Sequence, residues 1–273
     1  LMLGLDKSVV DDVRRTSRIV KNLGIDLFVN TGDSSGQARI LIESSKSNGS
    51  KTITFAHGYF KEDTLIGVAP VRSDKLILWT EKQKEDILRA IGEKEIGKLS
   101  NIGFPKDLSA KKKNNNNITS LLLMGYIFNI IRSKKTYHTF QEIIKSIREI
   151  SEKVIIRLHP NERDENKIIE ELTKLPEIEI SDSELSTDIA RADYIFGANT
   201  SALIEAASTG EQVFLLEELL FSGIDYEGTI SIKHNEIKAI EGLKGRIQAD
   251  KDIVFNRDKL KENLKNLIYK LFS

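Results

Sequence analysis

The sequence predicts an α/β fold built as two successive halves, in which parallel strands are joined by crossover helices. Three observations carry this expectation. Short apolar runs alternate with amphipathic stretches along the chain, the pattern of strand–helix–strand units. The length of 273 residues exceeds the roughly 100–200 residues of a usual domain. A polar segment without apolar periodicity, KDLSAKKKNNNN at 106–117, separates one series of elements from the next.

In the first series, helical spacing runs from Val9 to Asn22 with Gly24 just beyond it, and Ile25 to Asn30 reads as a buried strand. Gly36 to Ser47 follows as a helix, Lys51 to Ala56 and Lys75 to Thr80 as strands, Glu81 to Ile91 as a helix and Leu99 to Phe104 as a strand. The second series reads as strand Ile118 to Met124, helix Thr139 to Glu152, strand Lys153 to Leu158 and helix Glu165 to Leu175. It continues with strands Glu177 to Ile180 and Tyr194 to Gly197, helix Ser201 to Thr209 and strand Gln212 to Leu216. Each series is a Rossmann-like half. The expected organisation is a domain over 1–107, a linker over 108–117, a second domain over 118–256, and an amphipathic helix over 257–273 that packs back on the domains.

Composition excludes several function classes. Lys plus Arg equals Asp plus Glu at 41 each, so no global positive field draws nucleic acid. The absence of cysteine removes disulfides, thiolate catalysis and cysteine-ligated zinc. No HExxH or EF-hand pattern occurs, and the expected chemistry uses neither a metal nor another cofactor. The opening residues LMLGLDKSVVDDVRR lack the pattern of a secretory signal, and no run is long and apolar enough for a membrane span. The expected location is therefore the cytoplasm, with the inner face of the membrane as a place of peripheral association.

The candidate residues cluster at the carboxyl ends of strands, where open parallel sheets bind ligands. His159 and Pro160 directly follow the run KVIIRL. Proline extends the residue before it, which would hold the imidazole over the crest of the sheet to donate to a phosphate oxygen; a helix cap or turn bond is the alternative. Arg157 lies two residues earlier on the same face of the strand. In YIFGANTSALIEAASTGEQVFLL, a strand breaks at Gly197, and Asn199, Thr200 and Ser201 form a polar turn before a helix. Its amides and hydroxyls suit an anion, while plain N-capping explains them as well. Glu205, one helical turn on, is placed either to accept ribose hydroxyls or to form a surface ion pair. Gly125, closing SLLLMG, either admits a nucleotide or serves a turn.

In the first half, His57 and Gly58 end the run KTITFA. Histidine is a natural general base for a sugar hydroxyl, and a polar loop residue is the other reading. Asp33 in NTGDSSGQ is a candidate catalytic acid, although an N-cap is favoured.

Together these motifs resemble bacterial surface-polysaccharide glycosyltransferases of the GT-B fold. They are similar to the CDP-glycerol glycerophosphotransferases of teichoic acid synthesis and to the capsule transferases that use CMP-activated sialic acid or Kdo. The resemblance rests on the order of HG at 57–58, LILWTEKQKEDILRAIG, GFP at 103–105, RLHP at 157–160 and NTS at 199–201 followed by GEQVFLLE, spanning about Lys51 to Glu217. It implies two Rossmann-like domains facing across a cleft. It also implies donor phosphates held by His159, Pro160, Thr200 and Ser201, and His57 acting as base toward the acceptor. The turn reads GANTS where the glycerophosphotransferases have a TDYSS-like sequence.

The expected function is metal-independent transfer of a sugar or sugar-like group from a CMP- or CDP-linked donor to a glycan or lipid-linked glycan acceptor of the cell surface. The alternatives are a sugar-nucleotide epimerase, and a non-catalytic subunit that binds a nucleotide sugar or glycan within a biosynthetic complex.

Overall fold

The computed structural model describes residues 7–32, 35–58, 70–108, 117–162, 166–175, 177–221, 226–243 and 255–273. Asp33 and residues 109–116 of the expected linker lie outside them. The chain divides into two compact units, Leu1–Pro105 with Asn256–Ser273, and Lys106–Phe255. Each is an α/β layer structure around a parallel sheet, as the alternation of elements requires.

The first unit opens with α1 (Lys7–Leu23), β1 (Leu27–Asn30), α2 (Gly36–Ser47) and β2 (Lys51–Phe55). β3 (Lys75–Leu78), α3 (Glu81–Ile91) and β4 (Leu99–Asn101) complete its sheet, whose order is β1-β2-β3-β4. The helix starts are chemically marked. Ser35 Oγ accepts from the Ala38 amide at the start of α2, and Thr80 Oγ1 accepts from the Gln83 amide at the start of α3. Asp74 ties β3 to β2 by accepting from both the amide and the hydroxyl of Thr52, at 2.8 and 3.0 Å. The central strand β3 buries Leu76, Ile77 and Leu78 in succession, because helices cover both faces of a parallel sheet.

The second unit contains β5 (Thr119–Met124), α4 (Ile127–Arg132), α5 (Lys134–Arg148), β6 (Lys153–Leu158) and α6 (Asn166–Thr173). It continues through β7 (Ile178–Ile180), α7 (Leu185–Arg191), β8 (Tyr194–Ala198), α8 (Ala202–Ala207), β9 (Val213–Leu216) and β10 (Thr229–Ile232). All neighbours pair in parallel, in the order β10-β9-β8-β5-β6-β7. Counted from β5, this is the order 3-2-1-4-5-6 of a dinucleotide-type Rossmann sheet, read from the β7 edge. The core joins Phe140, Ile143, Ile144 and Ile147 of α5, at helical spacing, to Val154, Ile156 and Phe196 of the sheet. Each such buried side chain contributes about 1.5–3 kcal/mol relative to exposure.

The last helix, α9 (Arg257–Phe272), belongs to the first unit. Asn256 caps it by accepting from the Lys259 amide at 3.0 Å. Its Leu267 and Leu271 pack with Ile53, Ile77 and Ile102, and Asn263 Nδ2 donates to the Ile102 carbonyl at 3.2 Å.

Several elements lie outside the sequence expectation. Helices α4 and α7, strand β10 and a 3-10 segment at His234–Leu243 occupy stretches read as connections, and α5 begins at Lys134 rather than Thr139. These elements are short, and α4 (IFNIIR) buries Ile127 and Ile130 without the length that makes a periodicity readable. Among the described residues, no helix is long and apolar enough to cross a membrane.

The edge strand β7 is held by charge. Glu179 accepts from both terminal nitrogens of Arg191, at 2.8 and 2.9 Å, and pairs with Lys153 of β6. The Arg191 fork, aided by Lys153 and opposed by partial burial, holds the Glu179 carboxyl down to about 2 from its ordinary 4.5. A lowered pKa contributes stability above the unfolded value and loses it as pH falls toward the folded one. Urea unfolding across a pH series is expected to show wild-type stability falling from pH 4.5 toward 2, with Glu179→Gln less stable at neutral pH and flatter across that window. Parallel curves for the two proteins would contradict the staple.

Candidate functional site

The register of the second sheet sets the site. Met124 at the end of β5 is paired both with Leu158 at the end of β6 and with Ala198 at the end of β8. The next residues, Gly125, His159 and Asn199, therefore leave the sheet at one level. β5 and β8 are also the strands between which the strand order reverses, and ligands of such sheets bind in the crevice outside that point. Three of the residues singled out from sequence thus converge at this switch point.

Gly125 is required for close approach. Its amide donates to the Ala198 carbonyl at 3.1 Å, and a Cβ on it would stand 2.2 Å from the Asn199 carbonyl oxygen. Gly197, in β8, is similarly tight: a Cβ there would lie 2.2 Å from the Leu123 oxygen and 2.8 Å from Leu203 of α8. It lets the helix that follows the turn pack down on the sheet. Just beyond Gly125, Tyr126 has a φ of 57°, the same left-handed value as Asn199. Asparagine tolerates that region, whereas a bulky side chain there costs on the order of 1–3 kcal/mol, and such strain collects at functional sites.

The polar turn divides its labour. The Asn199 amide is committed to protein, donating from Nδ2 to the Leu219 carbonyl at 2.7 Å and accepting at Oδ1 from the Phe221 amide at 3.1 Å. Its role is to fix the chain after β9 beside the switch point. Thr200 Oγ1 accepts from the Ala202 amide at 3.3 Å, which leaves its hydroxyl hydrogen to donate elsewhere. Ser201 makes no capping bond to α8, and its side chain is half-buried at the turn. The two hydroxyls therefore stand as donors on the crest.

His159 is exposed beyond β6, with Pro160 opening the one-turn 3-10 segment Pro160–Glu162. Its Nδ1 accepts from the Asn161 amide at 3.3 Å. An accepting Nδ1 leaves the proton on Nε2, so that nitrogen is a donor, the polarity a phosphate oxygen needs. The same turn reaches across to β5, because Glu162 Oε1 accepts from the Phe128 amide at the start of α4 at 3.1 Å.

Two expected donor contacts are occupied within the protein. Arg157 donates to Asp188, which is fully buried, at 2.9 Å and to the Ser183 carbonyl. Asp188 also accepts from Ser181 Oγ at 2.8 and 2.7 Å. This network locks the loop after β7, and its cation offsets a buried carboxylate that would otherwise cost several kcal/mol. Glu205 pairs with Lys106 of the same unit at 2.6 Å, with the Glu205 side chain largely buried.

In the first unit, His57 and Gly58 follow β2, and the chain there is held from the neighbouring strand. Trp79 Nε1 donates to the Ala56 carbonyl at 2.9 Å, and the buried Gln83 donates from Nε2 to the Gly58 carbonyl at 3.0 Å. Gln83 is fixed in turn by the Trp79 amide at its Oε1. His57 is thus bracketed by two anchored carbonyls, its ring exposed and its Nδ1 lying 3.3 Å from where a Cβ on Gly32 would stand. Gly32 leaves the imidazole its room.

Sequence reasoning missed Tyr126, Phe221, Glu162 and Lys106 as parts of the second crest. The one available signal was positional, since Tyr126 follows Gly125 at a strand end and Glu162 ends the HPNE turn. Lys106 and Phe221 reach the site through tertiary folding alone.

No protein-family model matches the sequence, and no curated protein matches it either. Solved structures do match the fold. The chain is similar to a protein from Listeria monocytogenes assigned as a UDP-N-acetylglucosamine 2-epimerase, with a TM-score of 0.66 at 12% identity over 98% of this chain and 81% of that one. It is similar to the UDP-GlcNAc 2-epimerase of Methanocaldococcus jannaschii, in complex with UDP-GlcNAc and UDP, with a TM-score of 0.63 at 17% identity over 98% and 83%. The wall teichoic acid polymerase TagF matches at 0.53 and 12% identity over 90% and 71%. The fold is therefore the GT-B type shared by these proteins, an α/β architecture with two parallel sheets.

The Gly125–Asn199 contact is open to a direct test. Gly125→Ala is expected to destabilise by about 1–3 kcal/mol through overpacking against backbone that cannot yield. Gly36→Ala, where a Cβ meets nothing within 4 Å, is expected to be neutral or stabilising by less than about 1 kcal/mol. Equal unfolding midpoints for the two variants in denaturant would contradict the close approach.

Proposed function

We propose that this protein is an enzyme acting on a nucleotide-linked sugar, and that it transfers the sugar or sugar-like group to a hydroxyl of a surface glycan or lipid-linked glycan. The single observation behind the reading is the level placement of Gly125, His159 and Asn199 at the switch point of a 3-2-1-4-5-6 sheet, with donors from His159, Thr200 and Ser201 around it. Donors converging on a crest of this kind suit a phosphate, and proteins of the same fold are described with UDP-GlcNAc, UDP and CDP-glycerol.

In this reading the second unit serves the donor and the first the acceptor. Glu205 accepts the ribose hydroxyls, sharing or exchanging its Lys106 partner. His57 takes the proton of the acceptor hydroxyl as that oxygen bonds the sugar's anomeric carbon and the bond from that carbon to phosphate breaks. The negative charge released on the phosphate is met by His159 Nε2–H and by the hydroxyls of Thr200 and Ser201, without a metal. The resemblance of RLHP and NTS to the CDP-glycerol and CMP-sugar transferases favours a cytidine donor.

A second reading is a 2-epimerase on the same nucleotide site, favoured by the 98% coverage of this chain against the two epimerase structures. The two readings differ in what they consume. A transferase releases nucleotide only when an acceptor is supplied, whereas an epimerase changes the sugar with no acceptor and no release.

Thermal shift with CMP, CDP, UDP and GDP is expected to reveal one stabilising nucleotide class. Against that nucleotide, His159→Ala is expected to lose roughly tenfold to a hundredfold in affinity, as for a hydrogen bond to a charged group. His57→Ala is expected to keep binding and to lose about 10²–10⁴ in turnover with acceptor present. No stabilisation by any of the four would overturn the nucleotide reading. Normal turnover by His57→Ala would remove the base while leaving the binding site standing.

A further inference from the structure

The crest of the second unit displays aromatic rings that the functional reading does not use. Tyr126 and Phe221 are 60% and 50% exposed, with ring centroids 6.3 Å apart in an edge-to-face arrangement. Large apolar side chains on a crest would ordinarily turn inward. Here both rings stay exposed on backbone that is held in place.

Tyr126 is held in the left-handed region at a φ of 57°, between Gly125, which abuts Asn199, and α4, whose Phe128 amide is capped by Glu162. Phe221 is fixed by its amide bond to the Asn199 side chain. The pair therefore lies beside the ends of β5 and β8, anchored by residues that form the switch point. Only three non-glycine residues among those described have a positive φ, and two of them, Tyr126 and Asn199, meet here.

We infer that Tyr126, with Phe221 at its edge, is a stacking platform for the sugar ring of a nucleotide-linked substrate. This rests on the reading given under Proposed function. In that reading the phosphates lie among Thr200, Ser201 and His159, and Tyr126 leaves β5 at the level between those loops. The ribose and base run from the phosphates toward Glu205. The ring nearest the platform is then the other substituent of the phosphate, the sugar, whose face of C–H bonds suits the face of an aromatic ring. The platform would make Tyr126 a specificity residue, favouring sugars that present such a face.

The test compares a free nucleotide with its sugar-linked form by calorimetry, using UDP against UDP-N-acetylglucosamine and CMP against CMP-sialic acid. Tyr126→Gly removes the ring and accepts the left-handed backbone without strain, and its thermal unfolding verifies that the fold is intact. It is expected to lose roughly tenfold in affinity for the sugar-linked form, the worth of one aromatic contact. Affinity for the free nucleotide is expected to stay within about twofold. Tyr126→Phe is expected to bind both forms as the wild type does. Equal losses for both forms, or no loss for either, would overturn the platform while leaving the nucleotide site standing. If the wild type binds none of the four probes, the platform is overturned; the nucleotide reading falls with it only if CDP and GDP also fail to stabilise the protein.

Discussion

Where β5 and β8 end side by side, the chain leaves the sheet to opposite sides, and the Asn199 carbonyl comes so near Gly125 that no side chain fits between them. The rest of the crest depends on this approach. It brings Thr200 to 3.5 Å from where a Cβ on Gly125 would stand, next to the left-handed Tyr126. The Asn199 amide fixes the segment after β9, and Glu162 ties the histidine turn to α4. Four loops from four strands are thereby fastened to one another by bonds to backbone groups, so that the donors of His159, Thr200 and Ser201 are held on a rigid base. Preorganisation of this kind is what lets hydrogen bonds to a charged ligand count.

The sequence and the structure agree most where a residue sits at a strand end. Gly125, His159 and Asn199 were legible because an apolar run stops abruptly at each, and a parallel sheet places such stops on one edge. The two-sheet architecture was legible for the same reason, since buried strands such as LILW and SLLLM have no other comfortable place. What could not be read was the use of each side chain. Arg157 alternates correctly along β6, yet its guanidinium is drawn to Asp188, thirty-one positions away in sequence. Glu205 lies where a ribose contact was expected and carries Lys106 as its partner. Such choices depend on which opposite charge the fold delivers, and spacing does not encode that. Short elements were equally opaque: α4, α7 and β10 bury too few residues in sequence to show a period.

The two units are anchored by different means. The second rests on a wide sheet and a single large apolar core, with charge used at its β7 edge and in the Arg157–Asp188 network. The first has a four-stranded sheet covered in part by α9, and its crest is organised by a tryptophan and a buried glutamine that hold the chain around His57. A histidine so bracketed can present one nitrogen repeatedly in the same place, which is the physical demand of general-base catalysis. The structural likeness to epimerases and to a teichoic acid polymerase shows a shared fold, and the proposed phosphate site rests on the donor residues of the second crest.

A nucleotide phosphate bound at the switch point of the second sheet would shield the amides around it. Hydrogen–deuterium exchange with and without the stabilising nucleotide reads that shielding. Slowed exchange is expected at 125–128, 159–162 and 199–203, where the amides and side chains of the crest would meet the ligand. Protection confined to other segments, with these three unchanged in the presence of saturating nucleotide, would contradict it.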